Sequence, residues 1–179
     1  MKKRIHLSWT VSSGCHLRNI GSSGDVSFGG FLGSAKENAV KSNHANAVSF
    51  INASLMKCIS GDELKLKRSR NATEFDWTED LCPMINSKDF AGKSFRGHKI
   101  SHFIMNHFSA ERWKNPYNTS TEAVTICYPQ NLGGGTIGET CIFDGVTEGA
   151  NNLCNSTSIC FYTRVNENEW LVDRIELNQ

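Results

Sequence analysis

The sequence has no long apolar run. Nowhere in its 179 residues are there enough consecutive apolar side chains for a membrane-spanning helix or for the apolar region of a secretory signal peptide. Charge of one sign is not in excess either, since 19 Lys and Arg residues stand against 18 Asp and Glu residues. The densest basic cluster, Lys65–Arg70, is short and typical of a solvated loop. These absences argue against sequence-specific recognition of nucleic acid.

Motifs for metal ions, cofactors and catalysis are also missing. No Cys-x-x-Cys occurs, and no Cys/His spacing matches a zinc module. His98 and His102 lie four residues apart, but there is no His-Glu-x-x-His and no carboxylate at a useful offset. The glycine-rich stretch Asn131–Gly138 leads into a strand-like segment, whereas a phosphate-binding loop leads into a helix. Asp144–Asn152 has oxygen ligands but lacks the spacing of a calcium loop. We therefore expect no metal site, no cofactor and no enzymatic activity.

Cysteine is the residue type that the sequence has in unusual number. Six cysteines lie among loop and strand signals, and Cys15 stands apart. Six cysteines in a chain of short strands predict three disulfides, and hence an exported protein. Several pairings are possible, and the shortest loops favour pairing in sequence order. The favoured pairs are Cys58 with Cys82, Cys127 with Cys141, and Cys154 with Cys160.

Residues 28–58 have the periodicity of a long amphipathic helix without an internal proline. Its apolar residues recur mostly three and four apart at Leu32, Ala35, Ala39, Val40, Ala47, Val48, Ile51, Leu55 and Cys58. Val48, Ile51 and Leu55 are the predicted core face, buried under a sheet. Polar side chains fill other positions, and we expect three of them to face solvent or a neighbouring subunit: Lys36, Glu37 and Lys41.

The remainder of the chain predicts a connecting region, residues 59–120, and then a sheet with its loops, residues 121–179. A second helix in "GHKISHFIMNHFSAERW" places Ile100, Phe103, Ile104 and Phe108 on one face. Four segments rich in Val, Ile, Thr and aromatic residues predict strands: "EAVTICYP", "GETCIFDG", "NSTSICFYTRV" and "EWLVDRIELN". The predicted fold class is α+β, with the long N-terminal helix packed on an antiparallel sheet of about four strands.

A long N-terminal helix, a polar connecting loop, an antiparallel sheet and a disulfide-closed C-terminal region resemble the type IV pilins. The resemblance covers Phe28–Gln179, where "FLGSAKENAVKSNHANAVSFINASLMKC" is similar to the second half of a pilin's first helix. "KNPYNTSTEAV" is similar to the turn before the sheet in a subset of these subunits. The resemblance implies the pilin fold and a structural subunit of an extracellular filament that serves adhesion, motility or DNA uptake.

The partners implied by this resemblance are other copies of the chain, a prepilin peptidase, the pilus assembly machinery, and the inner membrane before assembly. The peptidase would cut after the leader glycine and methylate the new N-terminus. The localisation implied is a cell-surface filament outside the cell.

Residues 1–27 do not fit this resemblance as they are written. "MKKR" is similar to a pilin leader, but the apolar helix that should follow is missing. Read one base further on, permitted codons for Arg4–Val26 can encode G-F-T-L and then V-A-I-L-G-I-L-A-A, as in a pilin N-terminus. The glutamate typical of the family is absent, because Trp9 forces a glycine codon there. We therefore interpret residues 1–27 as a leader followed by an out-of-frame segment, to which Cys15 belongs.

Three other functions remain open. A minor pilin or a type II secretion pseudopilin shares the helix and the sheet, and an exported, disulfide-bonded adhesin shares the cysteines. A small cystatin-like α+β enzyme is the third, because "RVNENEWLVDRIELN" is similar to the last hairpin of that fold. Filaments that contain the chain would favour a pilin, and a buried acid or histidine lining a pocket would favour the enzyme.

Overall fold

A computed structural model describes residues 28–73, 76–86, 100–127, 135–144, 154 and 158–176. Within these ranges, three helices precede four strands in the chain. They are α1 (Phe28–Ser60), α2 (Cys82–Ile85), α3 (Ile100–Ala110), β1 (Val124–Ile126), β2 (Thr140–Asp144), β3 (Ser158–Arg164) and β4 (Trp170–Glu176). The expectations for residues 1–27, for His98 and for most of the two loops 131–138 and 144–152 lie outside the described residues.

The four strands form one mixed sheet in the order β1-β2-β3-β4. The neighbours β2–β3 and β3–β4 are antiparallel, as predicted. The prediction of an antiparallel sheet is wrong for β1, which runs parallel to β2 with Val124 opposite Thr140 and Ile126 opposite Ile142. A parallel pair needs a connection of about a dozen residues or more, and the chain between β1 and β2 is long enough for that return. The fold is therefore α+β with a helix packed against a mixed sheet.

One face of the sheet packs against α1 and α3. Because alternate strand residues point to opposite faces, Ile159 and Phe161 of β3 point toward the helices, and Cys160 points away from them. The predicted apolar face of α3 is buried in the same core: Ile100, Phe103, Ile104 and Phe108. A second, smaller cluster on the far face joins Phe143 to two disulfide cysteines.

Three disulfides join parts of the chain that are close in sequence. Cys58–Cys82 links the end of α1 to the start of α2, Cys127–Cys141 links the residue after β1 to β2, and Cys154–Cys160 closes a loop onto β3. The prediction of disulfide bonds is confirmed, and their connectivity is the sequence order. Three disulfides indicate that the protein belongs to an oxidising, extracytoplasmic environment.

The basic cluster Lys65–Arg70 is only partly solvated. Lys65, Arg68 and Arg70 are exposed, but the Leu66 and Lys67 side chains are buried. The ammonium group of Lys67 lies 4.0 Å from the centroid of the Trp77 ring and donates a hydrogen bond of 2.8 Å to the Thr73 carbonyl oxygen. The attraction between a cation and an aromatic face, together with this bond, compensates for the loss of water around the ammonium.

A buried asparagine connects the turn after α3 to the start of β2. Asn115 is fully buried, donates to the Ile137 carbonyl oxygen at 2.8 Å and accepts from the Tyr117 backbone N–H at 2.8 Å. Gly138 has a φ of 88°, and a Cβ added there would lie 2.1 Å from the Asn115 side-chain oxygen. The close approach of these two residues therefore requires glycine at position 138.

Candidate assembly surface and a buried histidine network

The inner side of α1, which faces the sheet, is lined by buried residues along its C-terminal two thirds. These residues are Val40, His44, Ala47, Ile51, Ser54, Leu55 and Cys58. Of the predicted core face, Ile51 and Leu55 are buried, and Val48 is half-buried at the edge of the core. Two other residues of the predicted apolar row, Leu32 and Ala35, are exposed. The first turns of α1 have little beneath them, since a Cβ added at Gly33 would meet no atom within 4 Å.

The outer side of α1 is exposed along the whole helix and carries no charged residue. We call it the outer stripe: Phe31, Ala35, Asn38, Ser42, Ala45, Ser49, Asn52, Met56 and Ile59, all of which are exposed. The four charged residues of α1 lie on its flanks instead: Lys36, Glu37, Lys41 and Lys57. A helix that only covers a core normally has charged and polar residues on its outer face, so the outer stripe is unusual.

The composition of the outer stripe suits contact with another helix. Its positions alternate by four and three residues, which is the spacing of a seam between packed helices. Ala and Ser in its middle let a partner approach closely, and Phe31, Met56 and Ile59 offer large apolar side chains near the ends, each more than 60% exposed. Burial of this surface would remove apolar area from water without stripping water from a charge.

Two of the charged residues expected to face solvent or a neighbouring subunit, Glu37 and Lys41, are partly exposed and contact the turn between β3 and β4. Lys41 forms an ion pair of 2.7 Å with Glu169, and the Asn166 amide donates a hydrogen bond of 3.0 Å to the Glu37 carboxylate. The hydrogen bond to the Glu169 carboxylate raises the pKa of Lys41. Lys36 is exposed, as expected. These contacts fix one flank of α1 on the sheet.

A histidine network connects α1 to three strands through four side chains: Asp173, His44, Thr163 and Thr140. Nε2 of His44 lies 2.6 Å from a carboxylate oxygen of Asp173 on β4, and Nδ1 lies 2.7 Å from the Thr163 hydroxyl on β3. That hydroxyl donates to the Thr140 hydroxyl on β2 at 2.7 Å. His44, Thr163 and Thr140 are all buried, whereas the Asp173 side chain is 54% exposed.

The order carboxylate, imidazole, hydroxyl is also that of an acyl-transfer triad, but the surroundings differ. In a triad the hydroxyl attacks a substrate, so it must be reachable, and the carboxylate behind the imidazole is buried. Here the Thr163 hydroxyl is fully buried beneath α1 and the carboxylate lies toward solvent. The histidine network is therefore suited to holding α1 on the sheet rather than to nucleophilic catalysis.

A second histidine, His107 on α3, lies in a different environment. Its ring stacks on Phe50 of α1 with centroids 4.8 Å apart, and its Nδ1 accepts a long hydrogen bond of 3.4 Å from the Lys67 backbone N–H. Burial lowers the pKa of His107, the nearby Glu111 carboxylate opposes this shift, and the Lys67 ammonium adds to it. The neutral ring is the form that fits this position.

The described side chains form no metal-binding cluster, and a small void lies in the core between α1, α3 and β3. No group of three or more His, Cys, Asp or Glu side chains in the described ranges could hold a metal ion. A void of about 10 Å³ lies between α1, α3 and β3, lined by Ile51, Ile104 and Ile159 among others. It is apolar and about the size of a single water molecule, so it offers no room for a substrate. None of the described helices is apolar over a length that could cross a bilayer.

The sequence reasoning missed the histidine network. One signal was present, because His44 lies four residues after Val40 and three before Ala47, within the row of inner residues. A polar residue in an apolar row needs a buried partner, but Thr163 is 119 positions away in the sequence and gives no local sign of its role.

The chain matches no protein family model, no curated protein and no solved structure.

Proposed function

We infer that this protein is the structural subunit of an extracellular filament of the type IV pilin kind. In this proposal, α1 lies toward the centre of the filament and the disulfide-closed sheet lies outside. The observation that carries the proposal is the exposed and uncharged outer stripe of α1. A monomeric protein has no need to keep charge off nine exposed helical positions.

Assembly through the outer stripe would follow from elementary physical chemistry. Phe31, Leu32, Met56 and Ile59 are half or more exposed, and covering them removes apolar surface from water. Each copy would use the outer stripe against a different surface of its neighbour. A contact of that head-to-tail kind, if its rotation does not close a ring, generates an open helical filament.

The enzyme alternative has less support. A buried acid or histidine lining a pocket was the feature that would favour an enzyme. His44 is buried, but its ring contacts the Thr163 hydroxyl rather than an open pocket. A minor pilin, a pseudopilin or an adhesin differs from the main proposal in its abundance in the filament and in its partners. No contact among the described residues favours one of them.

The proposal extends to the N-terminus as an expectation about the native subunit. The native subunit would begin with Phe after the leader glycine. In place of Arg4–Val26 it would carry about two dozen apolar residues, a segment long enough to cross a bilayer as a helix. In the dry centre of a filament, a helix satisfies every backbone hydrogen bond of such a segment internally. The inner membrane would hold the segment before assembly, and the prepilin peptidase would process it.

The test of the assembly surface places a charge on the outer stripe. Ala45→Glu is compared with Thr119→Glu, at a position on the loop before β1 that is also exposed. Both variants are expressed in the producing cells and filaments are counted by electron microscopy. We expect Ala45→Glu to abolish filaments, because a buried, unpaired carboxylate is strongly unfavourable, and Thr119→Glu to keep them. Normal filaments from Ala45→Glu would contradict the proposal.

A second experiment tests the presence and the start of the subunit. Mass spectrometry of purified filaments should recover peptides from residues 28–179 and should not recover "IHLSWTVSSGCHLR". Filaments without any of these peptides would refute the pilin assignment. Recovery of the serine-rich peptide would refute the out-of-frame interpretation and weaken the resemblance on which the assignment depends.

A further inference from the structure

Four Asn-x-Ser or Asn-x-Thr triplets occur in the chain, and they begin at Asn52, Asn71, Asn118 and Asn155. Such a triplet is the acceptor sequence for attachment of a glycan to the asparagine side chain of an exported protein. Three disulfides indicate that this chain is exported. Because a pattern of three residues also arises by chance, the surroundings of each asparagine decide which triplet is suited to modification. Asn155 lies outside the described residues.

The triplet Asn118-Thr119-Ser120 lies in the loop between α3 and β1, and all three residues are exposed. The Asn118 side-chain oxygen accepts a hydrogen bond of 2.6 Å from the Ser120 hydroxyl and one of 3.1 Å from the Ser120 backbone N–H. The second of these bonds is that of an Asx turn. The asparagine and the serine that define the triplet are therefore in direct contact at the protein surface.

The side-chain nitrogen of Asn118 is the atom to which a glycan would be attached. It makes no hydrogen bond within the described part of the chain, whereas the side-chain nitrogen of Asn106 donates to the Arg68 carbonyl oxygen at 3.0 Å. Ser120 thus holds the Asn118 amide through its oxygen and leaves the nitrogen accessible.

The base of this loop is fixed on the folded domain. Asn115 is fully buried, and it donates its backbone N–H to the Thr121 carbonyl oxygen at 3.1 Å. Next to this pair, Lys114 and Glu122 form an ion pair of 2.8 Å. The loop is therefore closed at its base, and Asn118 stays at the surface when the chain is folded.

The triplet that begins at Asn52 lies within α1 and has a different geometry. Residues two positions apart on a helix do not face each other, so the Asn52 side chain cannot meet that of Ser54. Ser54 is also buried, and its hydroxyl donates to the Phe50 carbonyl oxygen at 2.8 Å. This triplet is unsuited to modification in the folded chain.

The triplet that begins at Asn71 is exposed at both Asn71 and Thr73. In the described chain no hydrogen bond joins these two side chains, and the Thr73 carbonyl oxygen accepts from the Lys67 ammonium at 2.8 Å. Among the triplets that the structure describes, exposure and a direct contact between the two side chains coincide at Asn118.

We propose that Asn118 is the acceptor of an N-linked glycan, which an oligosaccharyltransferase transfers from a lipid-carried glycosyl diphosphate in the compartment where the disulfides form. The modification requires export of the chain and does not depend on assembly through the outer stripe. Success or failure of the filament experiments therefore leaves it unaffected.

In the transfer, the Asn118 nitrogen forms a bond to the anomeric carbon of the first sugar. The bond between that carbon and the diphosphate oxygen breaks, and its electron pair leaves with the diphosphate. The nitrogen gives up one of its two protons to a base of the transferase, so the products are a glycosylated asparagine and a lipid diphosphate. Negative charge develops on the Asn118 oxygen as the proton leaves, and the Ser120 hydroxyl already donates to that oxygen.

Mass spectrometry of the protein purified from its producing cells tests the proposal. Cleavage after Lys, Arg and Glu releases the peptide Asn115–Glu122, which contains one triplet. We expect its mass to be increased by one or more sugars, and fragmentation should locate them on Asn118. The peptide Ser42–Lys57, which contains Asn52, should be unmodified and is the internal control. An unmodified Asn115–Glu122 peptide, or sugars located on its Ser or Thr residues, would overturn the proposal.

Two variants test the contact between the side chains. Ser120→Ala removes the hydroxyl that donates to Asn118 and should abolish the glycan. Ser120→Thr is the matched control, since it keeps a hydroxyl and the triplet and should keep the glycan. The same glycan on Asn118 in Ser120→Ala would show that the hydroxyl contact has no role. Both changes lie in an exposed loop, and the measurement on the unchanged protein does not depend on them.

Discussion

The inner and outer sides of α1 share one helical backbone and both contain Ala and Ser, but they meet different surroundings. The inner side is buried from Val40 to Cys58, and its one ionisable group, His44, has a partner for each ring nitrogen. The outer side is exposed from Phe31 to Ile59, yet its outer stripe has no charged side chain, as is usual for a buried surface. Periodicity identifies the helix, and the presence of neighbours decides which of its rows becomes core. The outer stripe is a row whose neighbours lie outside the single chain, if the proposed assembly is correct.

The largest contrast between the two sides is expected from truncation of a buried side chain. Ile51→Ala should lower the free energy of unfolding by about 2–5 kcal/mol, because it leaves a cavity between α1 and the sheet. Asn52→Ala, on the adjacent outer stripe, should change it by less than about 0.5 kcal/mol. Equilibrium unfolding in denaturant measures both. An effect of Ile51→Ala below about 0.5 kcal/mol would mean that the inner side is wrongly assigned.

Removal of the disulfide at the end of the inner side should have the next largest effect. The double variant Cys58→Ala and Cys82→Ala frees the unfolded chain from a cross-link over 24 residues. We expect a loss of about 2–4 kcal/mol, mainly from the greater entropy of the unfolded chain. Thermal and denaturant unfolding of both proteins without a reductant measure this loss. Equal stabilities of the variant and the unchanged protein would show that this cross-link does not stabilise the fold.

Acidification should weaken the packing between α3 and α1 at the point where the His107 ring stacks on Phe50. Burial places the folded-state pKa of His107 below the ordinary value of 6.5, so the unfolded chain binds the proton more readily. The stability that the neutral ring contributes is therefore complete above pH 6.5, and it is lost as the pH falls through the folded-state pKa. His107→Gln should lose less stability than the unchanged protein on acidification.

Unfolding free energies of the two proteins, measured at about pH 7 and about pH 5, would give this difference. Equal acid sensitivity of the two proteins would mean that another group is responsible.

The smallest effect on folding is expected from the outer stripe. Met56→Ser replaces an exposed apolar side chain and should alter the free energy of unfolding by less than about 0.5 kcal/mol. In filaments, the same change removes apolar surface from the proposed contact and should reduce the filament yield. A destabilised monomer would show that Met56 supports the fold, and it would remove this residue from the assembly surface.

The elements with a clear period were predictable from the sequence. Ile100, Phe103, Ile104 and Phe108 mark α3 because a helix buries every third or fourth residue. The strands follow from their content of Val, Ile, Thr and aromatic residues, and the disulfide order follows from the short loops between neighbouring cysteines. α2 was not predictable, because a helix of only four residues has no period to detect.

Features that depend on distant contacts were not predictable. The direction of β1 depends on the path of the chain between Ile126 and Thr140, which strand composition does not encode. The exposure of Leu32 depends on where the sheet ends beneath α1. The role of His44 depends on Thr163 and Asp173, which are more than a hundred positions away in the sequence.

The attachments of α1 to the rest of the domain also define how a pulling force would be distributed. Toward the N-terminus, α1 is held by the Lys41–Glu169 ion pair and the hydrogen bond between Asn166 and Glu37, and at its far end by the covalent Cys58–Cys82 bond. Tension applied through the first turns of α1 loads the weak, re-formable contacts first. The disulfide holds the C-terminal end of α1 to α2 covalently, so that end stays attached when the contacts nearer the N-terminus break. A pulling force would therefore meet non-covalent attachments before a covalent one.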